Sequence, residues 1–160
     1  MNAVSAGMAT LLQHLYAATL QVERVYVDRW LEHDLTLPGI RPDDVTVRGG
    51  WPWWEEQSRS LRFHCMSVTL PHPYDESPNG PSEIYVYLDL EAHGTGFTVT
   101  AGIEAYLEVP VHKLPAGPHP LLRMIEEETT VEGTVAAIAR CQNALIGFDD
   151  LFDHIGFPRR

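Results

Sequence analysis

Two neighbouring stretches of the chain alternate apolar and polar residues, and this alternation constrains the fold more than any other feature. The stretches span residues 83–93 and 97–109. Alternation with a period of two is typical of a strand that buries one face and exposes the other to solvent. The sequence therefore predicts two long antiparallel strands that form a hairpin.

The turn between these strands determines which residues lie opposite one another. Gly94-Thr95 can form a two-residue turn, and this turn brings the aliphatic residues of both strands to one face. The resulting register pairs Leu90 with Val99. It also pairs Tyr87 with Gly102, where the aromatic ring can cover the surface that the glycine leaves bare. Carboxylates and tyrosines then share the opposite face.

That opposite face, which we call the acidic face, is the main candidate for a binding site. Between Arg62 and Lys113 the chain has seven carboxylates and neither a lysine nor an arginine. A face that serves solubility alone usually mixes both signs of charge. Carboxylates on a rigid sheet accelerate encounter with a basic partner, and tyrosines add contact area at a low entropic cost. The predicted partner-binding residues are Glu83, Tyr85, Tyr87, Asp89, Glu91, Glu104, Tyr106 and Glu108.

The part of the chain before the hairpin predicts one helix and two further strands. Apolar residues at steps of three and four indicate an amphipathic helix over residues 3–32. Strands are expected at 45–48 and at 61–70. The apolar phase of the second shifts between Cys65 and Met66, which indicates a bulge.

Between these two strands, residues 49–56 predict a rigid aromatic turn. The segment holds two glycines, a proline and the tryptophans Trp51, Trp53 and Trp54. Such rings can cap the open end of a core, or they can anchor a partner, since tryptophan is enriched at binding hot spots. The sequence leaves both interpretations open. A stiff surface loop is expected at 71–82, which is rich in proline.

After the hairpin the sequence predicts helices. A proline-rich connector at 110–120 leads to a short helix at 121–128. Thr129 and Glu132 have the spacing of a capping box for a second helix, which would continue to about Ile155. The predicted fold class is therefore α+β, an antiparallel β-meander of about four strands with a long N-terminal helix and C-terminal helices packed on one face. A chain of 160 residues suits a single globular domain over 1–160.

Charge and cysteine usage limit the partners and the location. The chain has 22 acidic and 11 basic residues, a formal charge of −11, which disfavours nucleic acid and anionic membranes as partners. Cys65 and Cys141 lie in apolar stretches and are expected to be reduced core thiols. The N-terminus lacks a basic signal region, and no apolar run reaches the roughly 18 residues that a membrane span needs. A cytoplasmic location is expected.

No catalytic or cofactor motif is present, so no catalytic residue, metal or cofactor is predicted. The chain has neither a Gly-x-Ser-x-Gly elbow nor a phosphate-binding glycine loop. Asp149 with Asp153, and Asp150 with His154, lie one helical turn apart and could ligate a metal. Acidic residues are commoner as the polar side of a terminal helix. A small hydrolase or ligand-binding enzyme that uses His64 with sheet carboxylates remains an alternative if the sheet carries a deep pocket.

Size, acidity and α+β layout together resemble two broad groups of small bacterial proteins. One group is the immunity proteins that block a cognate toxin, often a basic nuclease, and the other is the small acidic chaperones that hold a secreted effector. The resemblance covers layout and composition, and no site residue is carried over from either group. It implies a non-enzymatic protein that neutralises a basic partner protein, most concretely an immunity-type toxin inhibitor, with a secretion chaperone as the alternative. The sequence leaves the oligomeric state open.

Overall fold

In the computed structural model of the protein, the described residues are 3–37, 40, 44–55, 60–70 and 82–160. Within these ranges the chain forms three helices and six strands. In chain order they are α1 (Ala3–Leu31), β1 (Thr46–Arg48), β2 (Trp51–Glu55), β3 (Ser60–Leu70), β4 (Ser82–His93), β5 (Gly96–Leu107), β6 (Gly117–Glu128), α2 (Val131–Gly147) and α3 (Leu151–Ile155). The expected α+β class, with an antiparallel meander between a long N-terminal helix and C-terminal helices, is confirmed. The loop predicted at 71–82 falls outside the described residues except for Ser82, which begins β4.

The sheet is antiparallel throughout its described part and has five strand positions. The order is β1, β3, β4, β5, β6, and β2 pairs with β3 beside β1. The hairpin register that the sequence predicts is confirmed along its length: Leu90 lies opposite Val99, and Tyr87 opposite Gly102. The aliphatic faces of β4 and β5 are buried, because the helices pack against them.

Helix α1 ends one residue before the predicted boundary, and its buried stripe follows the helical period. Leu11, Leu15, Val22 and Tyr26 are fully buried. Leu12 also belongs to the apolar pattern of this helix, but it is 37% exposed. It comes directly after Leu11, and the turn of about 100° per residue takes its side chain to the margin of the buried stripe. The Tyr26 hydroxyl donates a hydrogen bond to the Leu145 carbonyl at 2.8 Å, so α1 is tied to the C-terminal end of α2.

The predicted aromatic turn at 49–56 is wrong, since Trp51–Glu55 form the strand β2. The chain bends at Gly49 and Gly50, opposite the confirmed bulge of β3 between His64 and Met66, and residue 56 of the predicted turn lies outside the described residues. Gly50 has a φ of 70° and donates its N–H to the His64 carbonyl at 3.0 Å. A side chain on Gly49 would lie 2.8 Å from the Cys65 carbonyl oxygen. Two glycines therefore absorb the bend, and the tryptophans after them are free to pair with β3.

The predicted short helix at 121–128 is also wrong, because these residues belong to strand β6. They pair with the outer edge of β5, with Leu122 opposite Ile103 and Met124 opposite Ala101. Leucine, methionine and glutamate favour helices in isolation, but helix propensity is a weak preference that tertiary pairing overrides. The register shifts by one residue at Leu121, just after Pro120, and β6 is thereby the second strand that sequence reasoning missed.

The C-terminal helix is divided into two and begins one residue later than predicted. Thr130, not Thr129, is the N-cap of α2, and its hydroxyl accepts a hydrogen bond from the Gly133 N–H at 3.0 Å. Phe148 has an extended backbone and ends α2, and the carboxylate of Asp150 then caps α3 by accepting from Phe152 and Asp153. Gly156, with a φ of 103°, ends α3 as the sequence predicts.

Candidate functional site

The acidic face lies on the side of the sheet opposite the helices, and its residues differ in exposure. Tyr106 is 51% exposed, whereas Tyr87 is only 3% exposed. Glu108 follows β5, and its backbone N–H donates to the Ser82 hydroxyl at 2.9 Å. The remaining predicted members are half-buried: Glu83, Tyr85, Asp89, Glu91 and Glu104. The face therefore divides into an inner cluster and an open end.

The inner cluster is built around Arg62 of β3. Its guanidinium forms two hydrogen bonds with the Asp89 carboxylate, both of 2.8 Å, and lies 3.9 Å from the ring centroid of Tyr87. The Tyr87 hydroxyl donates to Glu104 at 2.8 Å. The hydrogen bonds with Asp89 raise the pKa of Arg62, and burial above all raises the pKa of Tyr87. Arginine, tyrosine and carboxylate thus satisfy one another inside this cluster.

At the open end, the side chains surround a hollow of about 400 Å³, which we call the tyrosine hollow. The Tyr85 hydroxyl donates to Glu83, and burial above all raises the pKa of Tyr85. Within the described part of the chain, no lysine or arginine forms an ion pair with Glu83, Glu104 or Glu108. The hollow is lined by Glu83, Tyr85, Glu104, Ala105, Tyr106, Pro118, His119 and Pro120.

A second hollow, of about 190 Å³, lies towards the hairpin turn and has mixed charge. Arg62 and Arg123 line it together with Asp89 and Glu91. Arg123 comes from β6, opposite Gly102. Because the sequence predicts a helix for this segment, the positive charge that Arg123 brings to the acidic face was not foreseen. The excess of carboxylates is therefore concentrated around the tyrosine hollow.

His64, the catalytic candidate of the alternative hypothesis, is buried below the acidic face. It is 7% exposed, and its ring meets the Tyr85 ring edge-on, with centroids 5.3 Å apart. Burial, together with the nearby positive charge of Arg62, lowers the pKa of His64 to about 4. His64 is therefore neutral at pH 7, and it lines neither of the two hollows described above.

The tryptophans of β2 lie beside β3 in the sheet. Trp51, Trp53 and Trp54 are the Cα partners of His64, Arg62 and Leu61. The positions of their side chains lie outside the described part of the structure, so the choice between core and interface stays a prediction.

The metal candidates near the C-terminus are brought together differently from the predicted pairs. Asp150 and Asp153 meet His33, which follows α1: its Nε2 lies 2.8 Å from an Asp153 oxygen and 3.8 Å from an Asp150 oxygen. Arg159 forms ion pairs with both carboxylates. Asp149 is exposed, and the His154 ring packs against Phe148 with centroids 5.6 Å apart. A guanidinium thus already neutralises the carboxylates of this group, which we call the His33 cluster.

The two cysteines are buried, as the sequence predicts. Burial raises the pKa of the Cys65 thiol to about 12 and that of the Cys141 thiol to about 11. Both thiols are therefore protonated at neutral pH, and a protonated thiol is a poor nucleophile.

Compared with known proteins, the chain matches no family model, and neither a curated protein nor a solved structure is significantly similar to it. No helix of the described chain is long and apolar enough to cross a membrane.

Proposed function

We propose that the protein is a non-enzymatic binding protein that recognises a basic partner protein through the tyrosine hollow, and that its most concrete role is inhibition of a toxin in the manner of an immunity protein. One observation carries the proposal. The inner cluster combines a tyrosine ring, carboxylates and an arginine. The tyrosine hollow repeats the tyrosines and the carboxylates, but within the described residues it lacks the arginine. An arginine or lysine of a partner supplies the missing group.

The chemistry of the hollow suits a guanidinium. Planar carboxylates bind arginine through paired hydrogen bonds, and aromatic faces attract the same cation. Glu83 and Glu104 provide the carboxylates, and Tyr106 is an exposed ring beside them. Tyr87 and Asp89, which the sequence assigns to the partner, are engaged with Arg62 instead. In this proposal they hold the face rigid, and the contacts come from four residues that line the hollow and from Glu108, which follows β5. The four are Glu83, Tyr85, Glu104 and Tyr106.

The net charge of −11 supports a basic partner and disfavours nucleic acid or an anionic membrane. Long-range attraction raises the rate of association, and added salt screens it. The proposal includes a cytoplasmic location, where a self-protecting inhibitor would meet its toxin and where buried thiols such as Cys65 and Cys141 stay reduced.

The test uses two short peptides that are identical except that a central arginine in one is citrulline in the other. We expect the arginine peptide to shift the amide NMR signals of Glu83, Tyr85, Glu104 and Tyr106, and the citrulline peptide to leave them in place. In the variant E83Q/E104Q, affinity for the arginine peptide should fall by about tenfold or more, because hydrogen bonds to charged groups are lost. Added salt should weaken binding to the wild type more than binding to this variant.

The matched control is D28N/D149N, which removes the same charge from two exposed carboxylates outside the acidic face. If this variant loses as much affinity as E83Q/E104Q, the attraction is a general effect of net charge and the tyrosine hollow is not the site. The immunity role is tested in cells with the product of the neighbouring gene. Co-expression with the wild type should restore growth, and co-expression with E83Q/E104Q should not.

A stripe of exposed apolar residues on α1 favours the chaperone alternative. Leu12, Tyr16 and Leu20 are 37%, 50% and 44% exposed at successive steps of four residues. A chaperone would hold an amphipathic segment of its effector on such a stripe. Replacing these three residues with serine separates the two functions: it should abolish effector binding by a chaperone, and it should leave the arginine peptide bound if the tyrosine hollow is the site.

A further inference from the structure

The outer edge of β6 differs from the opposite edge of the sheet. Within the described residues, β6 pairs with β5 on one side and with no strand on the other. At the opposite edge, β1 and β2 span only three and five residues and are separated by Gly49 and Gly50. Short, interrupted edge strands resist pairing with other chains, whereas a long regular edge invites it. The edge of β6 is thus the edge that can accept a partner strand.

Only the second half of β6 is open to pairing. Pro118 and Pro120 have no N–H to donate, and the register shift at Leu121 distorts the strand beside them. Residues 122–128 contain neither proline nor glycine and continue as a regular strand. A segment of this length lies within the ordinary range for a β-strand, about 3–10 residues.

The side chains of this segment point alternately to the two faces of the sheet. On the acidic face, Arg123 and Glu127 are exposed, and Ile125 between them is 51% exposed. On the other face, Glu126 and Glu128 are already bound by Arg140 of α2, at 3.1 Å and 3.0 Å. Along the acidic face, a new strand would therefore meet one positive, one apolar and one negative residue in that order. Two copies of this order are complementary when they run antiparallel.

We propose that β6 pairs antiparallel with β6 of a second copy of the chain, about a two-fold axis at Ile125. In this register Ile125 lies opposite Ile125 of the second copy. Arg123 of each chain lies opposite Glu127 of the other, so the interface contains two cross-strand ion pairs. Opposite charges in directly opposed positions stabilise a strand pair, and like charges destabilise it.

The neighbouring registers lack this complementarity. An axis at Arg123 places two arginines opposite each other, and an axis at Met124 places Arg123 opposite Ile125. An axis at Glu126 places Ile125 opposite Glu127. Among these four axes, only the axis at Ile125 pairs apolar with apolar and positive with negative along the acidic face; on the other face it places Met124 beside Glu126 of the second copy, whose carboxylate is bound by Arg140 of its own chain. A surface that complements itself about a two-fold axis is the form that a symmetric dimer requires. This is why the occupant is a second copy and not an unrelated strand.

Dimerisation through this edge has a consequence for the acidic face. A two-fold axis perpendicular to the sheet keeps the same face of both copies on the same side. The two tyrosine hollows then lie on one continuous surface, at its two ends. Such a dimer would bind a basic partner with two equivalent sites, which raises avidity without new contacts.

Sedimentation velocity on the full chain, over the micromolar range, tests the dimer. We expect the wild type to sediment as a dimer. R123E and E127R should each raise the dissociation constant by about tenfold or more, because both cross-strand pairs become repulsive. An equimolar mixture of the two variants should dimerise again, since both cross-strand pairs of the mixed dimer then join opposite charges. R24E and D28R, at exposed positions of α1, make the same changes of net charge and should leave the dimer intact.

A wild type that stays monomeric overturns the proposal, and so does a mixture that fails to restore the dimer. A cross-link gives an independent readout of the register. In I125C the two cysteines face each other at about 4.5–5.5 Å between Cα atoms, within disulfide range. Mild oxidation should therefore link the chains. In E127C the Cα atoms of the two introduced cysteines are separated by about four residues of strand, roughly 13 Å, and no disulfide should form.

Discussion

The contact between Tyr87 and Gly102 shows how a single residue organises the acidic face. A β-carbon at Gly102 would lie 2.2 Å from Cζ of Tyr87, so the ring occupies the space that any other residue would need. From this position the hydroxyl reaches Glu104, and the ring supports the guanidinium of Arg62. The geometry of the inner cluster therefore depends on the absence of a side chain at Gly102.

Replacing Gly102 with alanine should destabilise the protein by about 1–3 kcal/mol, because the added methyl group overpacks the ring and displaces it. The free energy of unfolding in urea measures this loss. G94A is the matched control, since no atom lies within 4 Å of the position of its new β-carbon. Equal losses in the two variants would show that the close approach of Tyr87 has no energetic weight.

His33 is a second residue whose role depends on its neighbours. It is fully buried, its Nε2 faces the Asp153 carboxylate at 2.8 Å, and its Nδ1 faces the Arg29 carbonyl at 2.6 Å. Both neighbours accept hydrogen bonds, so the arrangement favours the protonated ring, in which both nitrogens donate. Burial lowers the pKa of His33, but the hydrogen bonds to Asp153 and Arg29 outweigh it, and the pKa is raised above 6.5.

This raised pKa makes stability depend on pH in a definite direction. Below pH 6.5 the ring is protonated in both the folded and the unfolded chain, so its stabilising contribution is complete. Above pH 6.5 the unfolded chain loses the proton first, and stability falls until the folded pKa is passed. Urea unfolding between pH 5 and 9 should show this decline in the wild type and a flatter profile in H33Q.

One further carboxylate, Asp150, faces His33, and the guanidinium of Arg159 lies beside both carboxylates. Asp150 and Asp153 lie within 4 Å of its Nε2, and Arg159 pairs with both carboxylates. Hydrogen bonds from Arg159 and His33 lower the pKa of Asp153 to about 2, so its own contribution is lost only in acid, as pH falls from 3.8 towards 2. D153N should therefore reduce the decline above pH 6.5 as H33Q does. An unchanged profile in both variants would contradict a charged His33.

At the scale of the element, the start of α2 shows that the N-cap indicated by a sequence motif can differ from the N-cap that the backbone adopts. Thr129-Thr130 offers two possible caps, and the spacing to Glu132 favours the first. The second is the cap because β6 continues to Glu128, which leaves Thr129 in the turn between strand and helix. The cap position is thus set by the end of the preceding strand, which the sequence pattern does not reveal.

T130A should cost about 1 kcal/mol of unfolding free energy, because the Gly133 N–H loses its acceptor at 3.0 Å. T129A should cost little, since Thr129 is exposed and does not cap the helix. T130S keeps the hydroxyl and should recover most of the loss. Thermal or urea unfolding of the three variants measures the differences, and a larger loss in T129A than in T130A would restore the capping box as the correct interpretation.

At the scale of the whole molecule, charge is separated between the two ends of the acidic face. Arg62 and Arg123 balance the carboxylates near the hairpin turn, and the excess remains around the tyrosine hollow. Arg62 is on a strand that the sequence predicts, but Arg123 reaches this face only because β6 joins the edge of β5. The same strand supplies Pro118 and Pro120 to the tyrosine hollow. One missed element therefore changed both the charge and the shape of the site.

The sequence by itself determined the hairpin, its register, the long N-terminal helix and the bulge of β3. These features follow from local periodicity and from the turn at Gly94-Thr95, and both depend on residues that are close together in the sequence. Only the tertiary structure decided that 121–128 is a strand, that Trp51–Glu55 pair with β3, and that His33 meets Asp150 and Asp153. Those outcomes depend on which edge is unpaired and on which distant groups approach, and such long-range pairing outweighs the local preferences that a sequence pattern expresses.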